Sequence, residues 1–483
     1  MKLKQLIGEM PVILSAADPD TEITGISYDS RVTKKGDLFV AIRGLSFDGH
    51  RFIPAALAAG AAAVLCEEAP EGEFPFIQVA DTRKALALVS AAFFGYPARR
   101  MRIIGVTGTS GKTTATHLIK HILEYVQGEK IALIGTNGNC IGQKEVHTEF
   151  TTPESRELHE LFFRMAEEGC RYVVMEVSSH ALAMERVAGI HFSTAAFTNL
   201  SQDHLDLHGT MEAYASEKRK LFSMCDRACI NLDDGHAAFM LDGCRCPVIT
   251  SSAYVPADLQ AEEIRLSASG VAFTAEYKGE KTEVTLAIPG LFSVHNALTA
   301  LSVCIAEGLP LQECASALKS AVGVKGRVET VPVDGDYSVI IDYSHKPDAL
   351  QNVLETLRPL TRSRLIVLFG CGGDRDRKKR PIMGKVAAQY ADLVIVTSDN
   401  PRTEDPELII SEILRGVKDS ETPVVTICDR IEAIHWALDN VRPGDVILLA
   451  GKGHEDYQVI GHAKHHMDER EIVAEYLKEK STL

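Results

Sequence analysis

The sequence predicts an α/β protein of three domains with mainly parallel sheets, and three observations lead there. Its 483 residues exceed the roughly 250–300 at which a single hydrophobic core stops growing. Five apolar runs share one grammar: IIGVTGTSGKT (103–113), YVVMEVSSH (172–180), LIVLFGCGGD (365–374), LVIVTSDNPR (393–402) and VILLAGKGHED (446–456) each end in turn residues and lead into helix-like sequence. Short apolar runs bounded by turn residues and alternating with helices are buried strands of parallel sheets. Finally, GYPARRMR (95–102) and GVKGR (323–327) punctuate the chain, placing domains at 1–99, 100–325 and 326–483. The first is mixed α/β, with an Ala-rich helix near 54–63.

Composition narrows the function. Hydrophobic residues make up 45% and charged residues 24%, which suits several packed cores. A formal charge of −15 argues against a surface that neutralises nucleic-acid phosphate or lies on an anionic membrane. The eleven cysteines are scattered in odd number, the pattern of reduced thiols in a cytosol. Cys244 and Cys246 have no second cysteine pair nearby with which to complete a zinc site. The opening MKLKQLIGEMPVIL is broken by Lys4, Glu9 and Pro11, unlike a signal peptide. No apolar run approaches the roughly 20 residues of a membrane span. A cytoplasmic location without membrane insertion is expected, and a monomer is the working expectation.

In a parallel sheet, ligands gather outside the carboxyl ends of the strands, so the polar tails of the five runs are where chemistry is expected. In IIGVTGTSGKTT (103–114), a strand enters a loop of Gly108, Thr109, Ser110 and Gly111, and Lys112, Thr113 and Thr114 open a helix. Backbone N–H groups of such a loop and helix start attract phosphate. Lys112 would reach the β/γ-phosphates, and the Thr113 hydroxyl would hold Mg²⁺. Val106 stands where the general motif has its first glycine, which makes this a tighter variant. No Asn-Lys dipeptide occurs in the chain, so the guanine-reading Asn-Lys-x-Asp of a GTPase switch is missing. The central domain is thus expected to be a P-loop ATPase domain.

Glu176, at the end of VVMEV, is placed to share the Thr113 metal. Further on, FTNLSQDHLDLHGTMEAYASEKRKLF (197–222) runs from a strand through a polar loop into a charged helix. Taken alone, its His204 reads as a surface histidine and its Lys218 as a solvated lysine.

TGTSGKTT, MEVSSHAL and TNLSQDHLDLHG, followed by Tyr214 and Lys218 four residues apart, resemble the Mur ligases, ATP-dependent amide ligases of peptidoglycan precursor synthesis. The resemblance implies that Lys218 is carbamylated by CO₂ and, with His204, serves a second Mg²⁺. The chemistry favours lysine, because burial lowers its pKa and frees a neutral amine to attack CO₂. It also implies that Asn296 in LFSVHNALTA contacts adenine, that Arg327 in GRVE reaches the γ-phosphate and that Asp342 in IDYSHKPDAL meets the ribose. Ser344 and Lys346 depart from the residues commonest there, Ala and Thr.

GCGGDRDRKKRP (370–381), SDNPRTEDP (398–406) and AGKGHEDYQ (450–458) resemble the branch of that family that adds the third residue of the peptide. This implies a Rossmann-like C-terminal domain and an Asp399–Asn400–Pro401–Arg402 signature for meso-2,6-diaminopimelate. That substrate carries a second amino-acid head that lysine lacks. Arg402 and Arg380 offer guanidinium forks for its carboxylate, and Glu455 with the Gly451 backbone suits its ammonium. The other substrate implied is UDP-MurNAc-L-Ala-D-Glu, with UDP gripped by Ser30 of YDSR and the GLSFDG segment (44–49). Thr151, Thr152, Ser178 and Arg186 are expected at its muramoyl-peptide end. Phe150 stands where relatives often have Asn, and Met184 where some have glutamine. The implied reaction runs through an acyl phosphate. Rival readings are ligation of L-lysine or another amino acid, a folylpolyglutamate synthetase and a non-catalytic ATP-binding paralogue. The HAKHH stretch (462–466) is expected to be an exposed polar loop rather than a metal site.

Overall fold

The computed structural model describes every residue except 9, 45, 46, 69–71, 147–149, 268, 269, 322, 482 and 483, together with all side chains of the described residues but those of 206 and 481. The GLSFDG segment therefore lies partly outside the described residues. The chain forms two compact units: Met1–Ala261 with Glu276–Thr282 and His295–Ala317, and Glu262–Ala275 with Glu283–Val294 and Leu318–Leu483.

The first unit holds two sheets. In the N-terminal one, Gly25–Ser27, Asp37–Val40, Ala63–Cys66 and Phe76–Gln78 run parallel, and Leu14–Ser15 closes the edge antiparallel. The helix Thr82–Phe93 covers this sheet with Ala85, Leu86 and Val89. Its start is fixed by Asp81, whose carboxylate accepts from Arg83 N and Lys84 N, the usual way of satisfying orphan helix amides.

The larger sheet places parallel strands in the order Val248–Ser252, Ala228–Asn231, Thr194–Phe197, Arg102–Thr107, Tyr172–Glu176 and Ile131–Ile134. Arg102–Thr107 lies between Thr194–Phe197 and Tyr172–Glu176, so the tails of all three strands emerge together. These strands are buried on both faces, which explains their unbroken apolar character.

The second unit has a six-stranded sheet in the order Glu329–Val331, Ser338–Asp342, Val446–Ala450, Leu365–Phe369, Leu393–Val396 and Val424–Thr426, parallel except for its first pair. The latest strand in sequence, Val446–Ala450, is inserted between the second and third in sequence. Apolar side chains alternate to the two faces, with Val367, Phe369 and Leu448 on one and Ile366, Leu368 and Leu449 on the other.

The HAKHH stretch differs from expectation. Ala463–His466 is an exposed strand paired antiparallel with Tyr457–Ile460. Pairing with a neighbour overrode its polar composition, as β-preference is largely contextual.

Candidate active site

The phosphate loop is held from beneath by the chain after Phe197. Asn199 O accepts from Thr109 N and Asn199 Oδ1 from Ser110 N, each at 2.9 Å, while Thr198 Oγ1 donates to Ser110 O at 2.7 Å. Two loop amides expected to face phosphate are therefore already engaged. The helix Lys112–Gln127 begins its ladder at Ala115 N, which donates to Gly111 O, so the preceding amides find no acceptor within the helix and are suited to an anion. Thr113 and Thr114 sit in this first turn, both buried.

Gly111 has φ +83°, and a Cβ there would lie 2.4 Å from Asn296 Oδ1. Only glycine admits this conformation and this close approach together. The buried Asn296, on the helix Leu291–Ala306, is thereby brought against the loop.

Two lysines converge on one carbonyl. Lys112 Nζ donates to Gly108 O and Thr109 O, each at 2.9 Å, and Lys218 Nζ donates to Gly108 O at 2.7 Å. Lys218 is 1% exposed, the opposite of its appearance in a charged run. Burial first, then the nearby Lys112 charge, pushes its ammonium well below the ordinary lysine range, and Asp203 opposes this only partly. Its nitrogen lies 4.6 Å from the centre of the Tyr214 ring, and the Tyr214 hydroxyl bonds Thr109 Oγ1 at 3.1 Å.

His204 has φ +53°, and its Nε2 lies 3.2 Å from Asp203 Oδ2. Its ring is 4.6 Å from that of His180, which is 6.0 Å from that of His208. Glu176 is buried at its strand end, where Thr136 holds both oxygens: N to Oε1 at 2.8 Å and Oγ1 to Oε2 at 3.1 Å. Thr136, His180 and His208 were not singled out from sequence. For the two histidines, their spacing around SSH and DLHG was the available signal.

The residues expected at the muramoyl-peptide end do gather. Thr151 Oγ1 bonds Thr136 Oγ1 at 3.1 Å, Thr152 Oγ1 accepts from Ser178 N at 3.2 Å, and Arg186 Nη1 donates to Thr152 O at 2.9 Å. Arg186 also pairs with Glu154 at 2.6 Å and stands over the Phe150 ring at 4.8 Å. Ser30 is half-buried in the turn after Gly25–Ser27. Neighbouring Tyr28 donates to Glu157 Oε2 at 3.0 Å, tying that turn to the helix that follows Thr152.

In the second unit, Arg327 stands 5.0 Å over the Tyr343 ring, and Val328 N donates to Asp342 Oδ2 at 2.9 Å. Burial raises the Asp342 carboxyl, while Arg327, Val328 N and Ser344 pull it back down. At the carboxyl ends of the central strands, Asp399, Asn400 and Pro401 are buried and Arg402 is half-buried, with φ +52° and Nη1 donating to Gly373 O at 2.8 Å. Gly451 has φ +113°, and a Cβ there would lie 2.8 Å from Asp399 Oδ2. Asn400 Nδ2 donates to Glu455 Oε2 at 2.9 Å.

Arg380 does not present its fork to a ligand. It is 0% exposed and clamped by Glu404 at 2.8 and 3.0 Å and by Glu412 at 2.8 Å. A guanidinium sealed in this way braces the loop that carries Glu404. This geometry suits a supporting role beside the strand ends better than direct contact with a ligand carboxylate. Behind the strand ends, Arg430 and Glu469 form a fully buried pair, and Arg430 Nη2 donates to Ala450 O at 2.9 Å.

A glycine-bearing loop that runs into a helix opened by a lysine and a threonine, after the central strand of a parallel sheet, defines a P-loop nucleotide-using α/β protein. Three family models narrow this: the Mur ligase family catalytic domain matches residues 22–94, the Mur ligase middle domain 106–304 and the Mur ligase glutamate ligase domain 326–453. The chain belongs to the Mur ligase family, whose members are ATP-dependent ligases, and it has the three domains of that family.

Among its relatives, the UDP-N-acetylmuramoyl-L-alanyl-D-glutamate–2,6-diaminopimelate ligase of Caldanaerobacter subterraneus subsp. tengcongensis is 47% identical over 466 residues, 96% of each chain. The enzyme of the same name from Clostridium botulinum is 46% identical over 95% of this chain and 96% of its own. A solved structure of a ligase of that name superposes with a TM-score of 0.74 at 33% identity, covering 100% of this chain and 99% of its own. The MurF ligase of Thermotoga maritima in complex with ADP shares the fold, with a TM-score of 0.62 at 19% identity over 95% and 98% of the two chains.

Proposed function

We propose that the protein is the ATP-dependent ligase that joins meso-2,6-diaminopimelate to UDP-MurNAc-L-Ala-D-Glu in cytoplasmic peptidoglycan precursor synthesis, acting as a monomer. Near-full-length similarity to relatives bearing that name carries the reading. The working domain limits are 1–99 for the UDP-sugar, 100–325 for ATP and 326–483 for the amino acid.

ATP is proposed to lie with its phosphates on the amides of the helix start and Lys112, and its adenine against Asn296. Arg327 and Asp342 are assigned to the γ-phosphate and the ribose. The glutamyl carboxylate of the dipeptide attacks the γ-phosphorus, the bond to ADP breaks and an acyl phosphate forms. The amine of diaminopimelate then attacks the acyl carbon and phosphate leaves. Lys112 stabilises the transferring phosphoryl group, whose charge such a preorganised cation is suited to meet. Ser30, Thr151, Thr152, Ser178 and Arg186 are assigned to the UDP-sugar dipeptide, and Asp399, Asn400, Pro401, Arg402, Gly451 and Glu455 to diaminopimelate.

Thr113, Glu176, His204 and carbamylated Lys218 are proposed to hold two Mg²⁺ ions. The residues suit the group: Lys218 is buried, shares Gly108 O with a second cation and favours its neutral amine. A carbamate there would turn repulsion from Lys112 into attraction. Among the described residues no three His, Cys, Asp or Glu side chains gather as a metal cage; the proposed set combines a hydroxyl, a carboxylate, an imidazole and a carbamate. When bound, the ions would neutralise phosphate charge.

The test is phosphate release from ATP and Mg²⁺ with UDP-MurNAc-L-Ala-D-Glu, comparing meso-diaminopimelate with L-lysine. Release with diaminopimelate alone is expected. Preference for lysine would keep the reaction and overturn the amino-acid assignment.

A further inference from the structure

The proposed amino-acid pocket contains a buried cation. Lys452 follows Gly451 at the end of the inserted strand Val446–Ala450, and its side chain is 0% exposed. Its Nζ donates to Glu455 Oε2 at 2.8 Å and to Asn400 Oδ1 at 2.9 Å, and lies 5.3 Å from the centre of the Tyr457 ring. Asn400 Oδ1 also accepts from Val459 N at 2.8 Å. With its oxygen held twice, the Asn400 amide has one orientation, which directs Nδ2 onto Glu455 Oε2.

Both inward bonds to Glu455 thus fall on Oε2. Oε1 is the oxygen that a ligand ammonium can take, on a side chain 15% exposed. Side chains of both signs lie around the Tyr457 ring: Glu455, Asp399 and Asp456 are acidic, and Arg402 and Lys452 are basic. A zwitterionic amino-acid head brings one charge of each sign to such a mixed set. A bare ammonium leaves Arg402 without a ligand carboxylate, and unpaired buried charge is what a selective site rejects most strongly. Were the site only structural, a buried ion pair would be a poor choice, because apolar packing of similar volume does as well or better.

We infer that Lys452 is a positioning residue for diaminopimelate: through Asn400 and Glu455 it fixes the ammonium-binding carboxylate and offsets its charge, so the pocket selects a zwitterionic head group over a lone ammonium. This rests on the proposed reading of the pocket as the amino-acid site.

The test uses the full-length protein and steady-state phosphate release, with Lys452→Met, Lys452→Gln, Glu455→Gln and the double variant Lys452→Met/Glu455→Gln. Lys452→Met is expected to raise the KM for diaminopimelate about tenfold or more, to change kcat and the KM for ATP by less than about twofold and to narrow the preference for diaminopimelate over L-lysine. In the Glu455→Gln background the same change is expected to add less than about twofold, since coupled residues are non-additive. An unchanged KM for diaminopimelate, effects that multiply independently of Glu455, or a rise in every KM together would overturn the inference. If Lys452→Met does not fold, Lys452→Gln, which keeps a donor and loses the charge, decides by the same comparisons. Absence of diaminopimelate-dependent release from the wild-type chain overturns the proposed function itself, and the inference with it, before any variant is compared.

Discussion

Two lysines, Lys218 beside the phosphate loop and Lys452 in the proposed amino-acid pocket, are both shut away from water, and their surroundings treat them in opposite ways. Lys218 shares a carbonyl with a second lysine and is pushed towards its neutral amine. Lys452 has its countercharge three residues away in Glu455. The first region brings two lysines onto one carbonyl, with Asp203 near Lys218, and suits anionic ligands. The second sets its lysine against its own carboxylate and suits a ligand that carries both charges. Burial alone does not set what a lysine does; the partner within hydrogen-bonding distance does.

The largest expected effect tests the cationic character of the first region. Lys112→Ala should lower phosphate release by about a thousandfold, the scale for loss of a preorganised group that stabilises transition-state charge. Near-normal turnover would remove the loop from the mechanism.

Next comes a pair of changes with opposite signs. In CO₂-free buffer near neutral pH, Lys452→Met should destabilise the fold by about 3–5 kcal/mol, because it strands Glu455 without its cation. Lys218→Met should be neutral or stabilising by about 1 kcal/mol, because it removes a buried polar nitrogen that both burial and Lys112 disfavour as a charge. Denaturant midpoints check both, and a shared sign would break the comparison.

His159 extends the contrast into the core of the first unit. It is buried with neither ring nitrogen hydrogen-bonded, and burial pushes it down to about 4 from an ordinary 6.5. Its folded-state pKa lies below the unfolded one, so its neutral form contributes fully above pH 6.5. Between about 6.5 and 4 the unfolded chain takes up a proton that the folded chain refuses, and about 3 kcal/mol of stability is lost. His159→Phe should flatten this part of the stability–pH curve; an unchanged slope would show that the ring is not the titrating group.

A last substitution sharpens the second region. Arg402→Met should raise the KM for diaminopimelate about thirtyfold, in the range for truncating one side of a charge pair, and should leave the KM for ATP unchanged.

The sheet scaffold was legible because its strands are written in local code. All five apolar runs are strands, at Arg102–Thr107, Tyr172–Glu176, Leu365–Phe369, Leu393–Val396 and Val446–Ala450. What stayed hidden depends on residues distant in the chain. EKRK reads as a solvated run, and only the family resemblance pointed to Lys218. Arg380 reads as an open fork until the fold brings Glu404 and Glu412 to it. Lys452 lay inside a recognised motif without a role, since Asn400 is 52 positions away. The HAKHH strand was missed because only its pairing with Tyr457–Ile460 makes it one.

The place of Val446–Ala450 has a consequence for how the protein is made. This strand is the last of its own sheet to leave the ribosome, yet it occupies the middle of that sheet, between Ser338–Asp342 and Leu365–Phe369. Until it inserts, both of those neighbours are open edges able to pair with the wrong partner, the characteristic hazard of non-local parallel pairing. The C-terminal sheet must therefore wait for this strand, and a product truncated before residue 446 lacks both the central strand and Gly451, Lys452 and Glu455 of the proposed amino-acid pocket.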